Sequence, residues 1–514
     1  MDPTAPMEDT SEGRGSRMIE VRSIDYVPVR ERHGKVWHQG PFWFTGNFVL
    51  TTMVTGFLGP ALGLSLPLSV AAVILGACFG TFFMAFHANQ GPRMGLPQMI
   101  QSRAQFGIRG AIVPFAAVVF VYVGFNVFNV VLAAQGLRTV FPGGTTLWYV
   151  LIIGVAIVLA VVGHDLLHLV QRWLTYLLIV VFGVLTVGAL IHLDPHSAAA
   201  GHAGHGSWTS FLVVFSAAAG YQISYAVYVS DYSRYLPRDV PARKVIWWTY
   251  AGAAGSAAWL MSLGALLASA LPHPDAISGI RQVGNAILPG FGTFVVVVSS
   301  VALIGIMAVN AYGAMLTTTS AVDAFRKVKP TVRIRVAGIV AIGLIVFTVA
   351  MLLPENYLES FNTFVLMMLY FLIPWTAVNL VDFYWVRRGH YAVTAIFDPS
   401  GIYGRWSWRG IVAYVAGFVA MVPFFSTSFY TGPVTEALGG ADLSFIPGLL
   451  VGGGLYYLLC RNLDFAAEEA AIAESERELE GVDAEIAEGA DGTDGTDGTE
   501  GTEGTATAAA ASGA

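Results

Sequence analysis

Long apolar runs dominate the sequence, and they constrain the fold more than any other feature. A helix needs about 20 apolar residues to cross the hydrocarbon core of a bilayer. Only 12% of the 514 residues are charged, whereas soluble domains carry about 25%. We therefore predict an all-α polytopic protein in the lipid bilayer with twelve transmembrane helices, at residues 42–63, 66–88, 111–137, 147–163, 172–192, 209–230, 246–271, 291–321, 334–353, 358–381, 409–428 and 443–460.

Lysine and arginine give the orientation, because short cytoplasmic loops are enriched in them. Of the 27 Lys and Arg residues, only Arg138 and Arg281 fall in outside loops if the N-terminus is cytoplasmic. Because the number of helices is even, both termini then lie in the cytoplasm. We expect a multi-pass protein of the plasma (inner) membrane. The stretch SYAVYVSDYSRYLPRD, residues 224–239, becomes the point where the sixth helix leaves the membrane, so Asp231 and Arg234 are expected at that boundary.

Composition divides the chain into three parts. Residues 1–40 are polar, lack the apolar stretch of a signal peptide and form a cytoplasmic N-terminal segment. Residues 41–461 form the twelve-helix domain. Residues 462–514 form an acidic cytoplasmic tail, since the chain from Arg461 on has 15 acidic and two basic residues and ends in Gly-Thr repeats. This composition predicts a largely disordered tail with room for a short helix at 465–480.

Motifs of several function classes are missing from the sequence. It contains no visible Walker motif, zinc-ligand cluster or nucleophile elbow, so ATP-driven pumping and hydrolysis lose support. We expect no enzyme activity, catalytic residue, cofactor, assigned metal site or nucleic acid partner. Cys78 and Cys460 lie in or beside predicted helices, which disfavours a disulfide. Secondary transport is the preferred class, a channel is the competing one, and the oligomeric state stays open.

Two predicted helices carry small and polar residues inside their apolar runs. The first reads FWFTGNFVLTTMVTGFLGPALG and contains Asn47, and the sixth contains Gly220, Gln222 and Ser224. Five helices separate their starts, which is the spacing of two inverted five-helix repeats whose interrupted helices form a binding site. Glycine is also ordinary packing material in membrane helices. The pairing of the two candidates therefore carries more weight than either one.

Polar residues on the third and eighth helices complete a candidate site. Phe125 and Asn129 are four residues apart and share one helical face, and Asn310 stands alone in an apolar run. A planar heterocycle needs aromatic faces for stacking and amides along its edge. The alternative is structural, with Asn126, Asn129 and Asn310 as links between helices and with Phe125 and Tyr225 as packing or lipid-facing aromatics.

Several motifs in order resemble one transporter family. GLPQMIQSRAQFGIRG (95–110), GFNVFN (124–129), SYAVYVSDYSRYLP (224–237) and NAYGAMLTT (310–318) are similar to the purine-cytosine permease branch of the nucleobase:cation symporter family 1. The segment IDYVPVRERHG (24–34) is similar to that family's approach to the first helix. The likeness leaves out the acidic tail.

The resemblance implies a LeuT-like fold with five-plus-five inverted repeats, at about 41–192 and 209–381, and two additional C-terminal helices. It also implies import of a nucleobase with a cation by alternating access. In the family, aromatics on the third and sixth helices sandwich the base, and these positions match Phe125 and Tyr225. Asn129 and Asn310 match the family's substrate-binding amides on the third and eighth helices. Thr45, Gly46 and Asn47 fall in the unwound part of the first helix. The remaining substrate-binding candidates are Asn126, Gln222 and Ser224.

One departure from the family bears on the substrate. Both stacking positions are commonly Trp in relatives, whereas here they are Phe125 and Tyr225. The resemblance implies cytosine, purines such as adenine, guanine and hypoxanthine, or both as substrates. The smaller rings leave the exact base open, and we expect them to let a purine fit where only a pyrimidine would fit otherwise. A related heterocycle (allantoin, a hydantoin or a vitamin) is the alternative, and a membrane protein without transport function is the remaining one.

The coupled cation is expected to be a proton rather than sodium. A sodium site in this fold needs oxygen ligands from the first and eighth helices, but the residues VALIGIMAV before Asn310 have no hydroxyl nearer than Ser300. A proton needs a titratable group, and Asp165, between His164 and His168 at the inner end of the fourth helix, is the candidate. The alternative is a solvated aspartate at the membrane interface.

Overall fold

The computed structural model describes residues 25–162, 164–193, 207–270, 275–326, 328, 331–354 and 357–494. Helices make up nearly all of its regular structure, and an isolated bridge pairs Ser426 with Thr431. The α-helices in this part of the chain are α1 Gln39–Gly46, α2 Leu50–Ala61, α3 Leu66–Ala88, α4 Gln90–Met94, α5 Gln98–Gln101, α6 Arg103–Phe106, α7 Ile112–Arg138, α8 Thr145–Val162, α9 His164–His192, α10 Trp208–Ile223, α11 Val229–Ser233, α12 Ala242–Ala270, α13 Ala276–Ile287, α14 Phe291–Asp323, α15 Val332–Leu352, α16 Tyr357–Val381, α17 Trp408–Met421, α18 Pro433–Ala437, α19 Phe445–Cys460 and α20 Phe465–Asp494.

Helix length and apolar character identify the membrane-spanning part. Within the described residues, eight helical spans are long and apolar enough to cross a bilayer: α3, α7, α9 from Trp173 on, α10 with the turn that continues it to Val227, α12, α14, α15 and α16. Shorter apolar helices, α8, α17 and α19, lie where three further spans are predicted. The first predicted span is divided into α1 and α2. The protein is therefore a multi-pass membrane protein whose helices follow the predicted runs.

The helices pack in groups that define where a site can form. α2, α3, α10 and α12 pack on one another, as do α7, α8, α14 and α15. α16, α17 and α19 form a third group, which contacts the first through α10. The substrate-binding candidates lie on α1 and just after it, on α7, on α10 and the turn that follows it (224–227), and on α14, between the first two groups.

Glycines bring two helices of the first group into backbone contact. A methyl group at Gly56 would lie 1.9 Å from the carbonyl oxygen of Met261, and one at Gly264 would lie 2.0 Å from that of Met53. No side chain fits at such distances, so glycine is required at both positions. Small residues allow this close approach between membrane helices. α2 and α12 therefore pack without side chains between them at this point.

The charged stretch after the sixth helix is bound by neighbouring loops. α10 ends at Ile223, a 3-10 turn covers Ser224–Val227, and α11 follows. The Asp231 carboxylate accepts a hydrogen bond from the Gln98 N–H at 2.8 Å. Arg234 is only 1% exposed and donates to the Asp25 carbonyl at 3.2 Å. These charges thus hold the loops together where the chain leaves the sixth helix.

The acidic tail begins with a docked helix that is longer than the short one expected at 465–480. Alanine and glutamate, both strong helix formers, dominate α20. Its Glu468 accepts two hydrogen bonds from Arg387, at 2.8 and 3.1 Å, and Ser475 accepts one from the Thr394 N–H at 3.1 Å. Glu476 pairs with Arg238 at 2.6 Å. Residues 495–514, with most of the Gly-Thr repeat, lie outside the described residues.

Candidate functional site

The first helix is interrupted where its sequence predicts a break. α1 ends at Gly46 and α2 begins at Leu50. The Asn47 side chain donates to the Ala253 carbonyl at 3.0 Å and to Ser256 Oγ at 3.3 Å, so it turns toward α12. Gly46 is exposed, and a methyl group there would meet nothing within 4 Å. Open space therefore lies beside Gly46 rather than beside Asn47.

The end of α10 is irregular in the same way. Ser224 Oγ donates to the Tyr221 carbonyl at 2.6 Å, which closes the first turn after the helix. Gln222 Nε2 donates to Thr81 Oγ1 at 2.9 Å and to the Ala253 carbonyl at 3.1 Å. The Ala253 carbonyl therefore receives amides from both interrupted helices. Gln222 and Asn47 link helices here, while Thr45 Oγ1 donates within its own helix, to Phe42 at 2.9 Å.

The asparagines of the third and eighth helices form two separate contacts. Asn310 Nδ2 donates to Asn126 Oδ1 at 3.1 Å, and Asn126 Nδ2 donates to the Met307 carbonyl at 2.9 Å. Asn129 Oδ1 instead accepts from Thr51 Oγ1 at 2.6 Å. The two α7 amides thus face different helices. Asn126 belongs with Asn310 on α14, and Asn129 belongs with α2.

The two candidate stacking residues lie on either side of a third ring. Phe125 and Tyr225 are each 8% exposed. The ring centroid of Tyr221 is 5.2 Å from that of Phe125, edge to face, and 6.1 Å from that of Tyr225. Phe364 also contacts Phe125, at 5.4 Å. Edge-to-face and tilted contacts of this kind order aromatic clusters.

Several site residues were not identified from the sequence. Tyr122 stacks on Tyr228, with centroids 5.7 Å apart and planes at 17°, and Trp43 lies 6.2 Å from Tyr228. Tyr221 shares a 2.8 Å hydrogen bond with Thr52 on α2. One signal was present: Tyr122 precedes Asn126 by four residues and so shares its helical face. Aromatics are common in membrane helices, and this pattern alone did not distinguish them.

The chemistry of this cluster is neutral. Every side chain named on α1, α2, α7, α10 and α14 is uncharged, and the groups offered are amides, hydroxyls and aromatic faces. Such groups suit an uncharged planar solute, because amides donate and accept along its edge and rings cover its faces. An ionic ligand would have no counter-charge among them.

The hydroxyl groups of α14 are used within the helix. Thr317, Thr318, Thr319 and Ser320 each donate to the carbonyl four residues earlier, at 2.7 to 2.9 Å. Ser300 donates to the Val296 carbonyl at 2.8 Å. The α14 residues between Ser300 and Asn310 carry no oxygen in their side chains. Between Ser300 and Asn310, this helix therefore offers only backbone oxygens to a cation.

The proton-coupling candidate lies in a different helix from the one expected. α9 begins at His164, so Asp165 is in the first turn of the fifth span rather than at the end of the fourth. The side chains of His164, Asp165 and His168 lie outside the described residues.

Comparisons with known proteins agree on one family. The profile described as "Permease for cytosine/purines, uracil, thiamine, allantoin" matches residues 26–448. The putative purine-cytosine permease YxlA of Bacillus subtilis is 43% identical over 446 residues, covering 86% of this chain and 96% of that protein. The purine-cytosine permease fcyB of Emericella nidulans is 25% identical over 469 residues, covering 86% of this chain and 88% of that protein.

The fold is similar to that of the solved transporter Mhp1. Its inward-facing conformation gives a TM-score of 0.70 at 17% identity, covering 90% of this chain and 98% of that chain. Its closed conformation with bromovinylhydantoin bound, described as a nucleobase-cation-symport-1 family transporter, gives 0.68 at 16% identity, covering 90% and 99%. At these identities the likeness establishes the fold.

Proposed function

The chain belongs to the nucleobase:cation symporter family, that of the cytosine and purine permeases, and we propose that it imports cytosine or a purine with a cation by alternating access. The observation that carries this proposal is the amide pair Asn126–Asn310, which lies between α7 and α14 in a neutral cluster that includes Tyr122 and Phe125. Amides matched to a base edge and rings matched to its faces are what an uncharged nucleobase requires.

In the proposed complex, Phe125 and Tyr225 cover the two faces of the base and Asn310 binds its edge. Tyr221 forms the wall between the two rings, since it contacts both. Asn126 orients Asn310 through their 3.1 Å hydrogen bond. The open space beside Gly46 admits the base next to the interrupted first helix. We retain Asn129, Thr45 and Ser224 as lining candidates.

Asn47 and Gln222 have a supporting role in this proposal. Both donate to the Ala253 carbonyl of α12, at 3.0 and 3.1 Å. They fix the two interrupted segments to the same helix. We therefore expect them to affect the stability of the site more than the choice of base.

We propose the full architecture as twelve spans with five-plus-five inverted repeats and two additional helices, both termini cytoplasmic, in the plasma membrane. The packing supports it, because exchanging the two sets of five spans exchanges equivalent contacts. The first span packs on the seventh (α2 on α12) and the sixth on the second (α10 on α3). The eighth packs on the fourth (α14 on α8) and the third on the ninth (α7 on α15).

We propose a proton as the coupled cation. The α14 residues that precede Asn310 have no side-chain oxygen, and the hydroxyls after it bond to their own helix. Sodium prefers a set of oxygen ligands, and the turns of α14 just before Asn310 supply only backbone carbonyls. A titratable group elsewhere in the protein carries the proton.

A related heterocycle is the second candidate substrate. The family description includes uracil, thiamine and allantoin beside cytosine and purines. An amide pair and aromatic faces also fit a hydantoin or allantoin ring. The size of the pocket between Phe125 and Tyr225 decides between these classes of substrate.

Uptake of radiolabelled cytosine tests the proposal, in cells that lack their own permeases. Competitors are adenine, guanine, hypoxanthine, uracil and allantoin, each with and without sodium and a protonophore. We expect saturable accumulation that a purine competes for and that the protonophore abolishes. Competition by allantoin without competition by any nucleobase would assign the second substrate class, and flux without accumulation would indicate a channel.

A further inference from the structure

A chain of buried hydrogen bonds joins two titratable side chains outside the candidate site. His87 lies near the end of α3, Asp382 follows α16, and both are 0% exposed. Four amides, each no more than 2% exposed, connect them in the order Gln98, Gln90, Asn379 and Gln105.

At its His87 end, this chain of hydrogen bonds determines which imidazole nitrogen of His87 carries the proton. Gln98 Nε2 donates to His87 Nδ1 at 3.2 Å and to Gln90 Oε1 at 2.9 Å. An amide nitrogen only donates, so Nδ1 is an acceptor and the imidazole proton is on Nε2, which donates to Thr376 Oγ1 at 3.4 Å. The ring also stacks on Trp375, with centroids 4.5 Å apart.

The chain continues in one direction to the carboxylate. Gln90 Nε2 donates to Asn379 Oδ1 at 2.6 Å, and Asn379 Nδ2 donates to Gln105 Oε1 at 3.2 Å. Gln105 Nε2 then donates to Asp382 Oδ2 at 2.6 Å. Along the bonds from Gln98 to Asp382, each of the four amides therefore donates to the next group toward Asp382.

Other charged and titratable groups surround both ends. Tyr391 donates to Asp382 Oδ2 at 2.8 Å and Tyr456 donates to its Oδ1 at 2.9 Å, where Arg387 also binds. Glu468 of α20 pairs with the same Arg387, and the guanidinium lies over the Tyr403 ring. Near His87, Asp231 of α11 accepts from the backbone N–H of Gln98 at 2.8 Å.

A chain of hydrogen-bonded side-chain amides of this kind has two self-consistent arrangements. If His87 gains a proton on Nδ1, that atom needs an acceptor, and Gln98 must turn its oxygen toward it. Each following amide must then turn as well, because otherwise two carbonyl oxygens would face each other. The last turn brings Gln105 Oε1 against Asp382 Oδ2, which is favourable only if Asp382 carries a proton and donates it.

We infer that His87 and Asp382 bind protons together, as the two ends of a four-amide switch between the α3–α7 loop and α16. When all four amides change orientation together, the protein takes up two protons from solution, one bound at His87 Nδ1 and one at Asp382 Oδ2. Among the described residues, the buried Gln98 Oε1 has no hydrogen-bond partner in the present arrangement, and it gains His87 and Gln90 in the other. As the source of proton coupling, this switch rests on the proposed function.

Infrared titration of the full-length protein in liposomes tests the switch. The carboxylic acid band of Asp382 is assigned by its loss in Asp382→Asn and followed with pH. We expect a transition with a steepness of about two protons in the native protein and about one in Gln90→Met, since coupled sites titrate together. The matched control is Gln101→Met. Gln101 lies in the same loop and is 1% exposed, but its amide donates to the Leu96 carbonyl and takes no part in the chain of hydrogen bonds.

Two further variants keep the test decisive if Gln90→Met does not assemble. Asn379→Leu interrupts the chain of hydrogen bonds at α16, and His87→Gln removes the titratable group at the end opposite Asp382. Both variants are expected to give the one-proton transition. An unchanged two-proton transition in these variants, or a one-proton transition in the native protein, overturns the switch. Cytosine exchange in the same liposomes is a separate readout: its absence overturns the proposed function, whereas the titration still decides the switch.

Discussion

Asn310 on α14 donates a hydrogen bond to Asn126 on α7, with 3.1 Å between Nδ2 and Oδ1. Asn126 is held in turn by its own bond to the Met307 carbonyl. The pair thus presents an oriented amide at the contact between two long helices. In the proposed complex, such orientation would favour recognition, because the edge of the base would meet a donor and an acceptor that need no rearrangement.

Replacing Asn310 by alanine should reduce nucleobase uptake at least about tenfold, since leaving a buried polar partner unpaired costs about 1–3 kcal/mol. Initial uptake rates at equal amounts of protein in the membrane measure this. Asn285→Ala is the control, because Asn285 is exposed on α13 and bonds the Gly292 N–H. Uptake by Asn310→Ala at the native rate would contradict the assignment.

Replacing Phe125 by tryptophan should shift preference from purines toward cytosine. The Phe125 ring already contacts Tyr221 and Phe364 at 5.2 and 5.4 Å, so a larger ring extends into the space left for the base. Inhibition constants for adenine and hypoxanthine should rise about tenfold relative to cytosine, the scale of a small change in pocket volume. A preference identical to that of the native protein would show that Phe125 does not border the base.

Exchanging sodium for choline in the medium should leave uptake unchanged, whereas a protonophore should abolish accumulation. The physical reason is the lack of side-chain oxygen on α14 between Ser300 and Asn310. Parallel uptake curves in the two media, with membrane potential held equal, make the measurement. Strict dependence of uptake on sodium would contradict proton coupling.

Replacing Glu468 by alanine should release α20 from the membrane domain. Glu468 is largely buried and accepts two hydrogen bonds from Arg387, which the variant removes. Breaking a buried ion pair costs about 3–5 kcal/mol, so tryptic cleavage after Arg477 should accelerate at least about tenfold even though Arg387 keeps Asp382. Glu469→Ala is the matched control, because Glu469 is the next residue in the sequence and its side chain is exposed. Equal cleavage in both variants would refute the anchoring role.

Apolar runs predicted much of the fold because the bilayer imposes helix length. The break near Asn47 was predictable as well, since the first and the sixth helices both carry polar and small residues inside their apolar runs, at the spacing of two inverted repeats. The family prediction is confirmed by the profile match over residues 26–448. The start of α9 at His164 was not predicted, because His164 and Asp165 read as a loop in a hydropathy pattern.

The site itself was less accessible to sequence reasoning. Asn126 and Asn129 are three residues apart on α7, and only helix packing shows that Asn126 faces α14 while Asn129 faces α2. Tyr122 of α7 contacts Tyr228, which lies in the turn before α11 and more than a hundred residues later in the sequence. The docking of α20 depends on Arg387, whose partner Glu468 cannot be chosen from among the many acidic residues of the tail by pattern.

The glycine contact between α2 and α12 has a practical consequence for following the transport cycle. Gly56 and Gly264 each lie against a backbone carbonyl of the opposite helix, so these helices cannot slide past each other without losing the fit. Spectroscopic labels placed elsewhere on α2 and α12, away from the two glycines, would therefore report a constant separation. That separation would serve as an internal reference for labels placed between these helices and α14 during the proposed transport cycle.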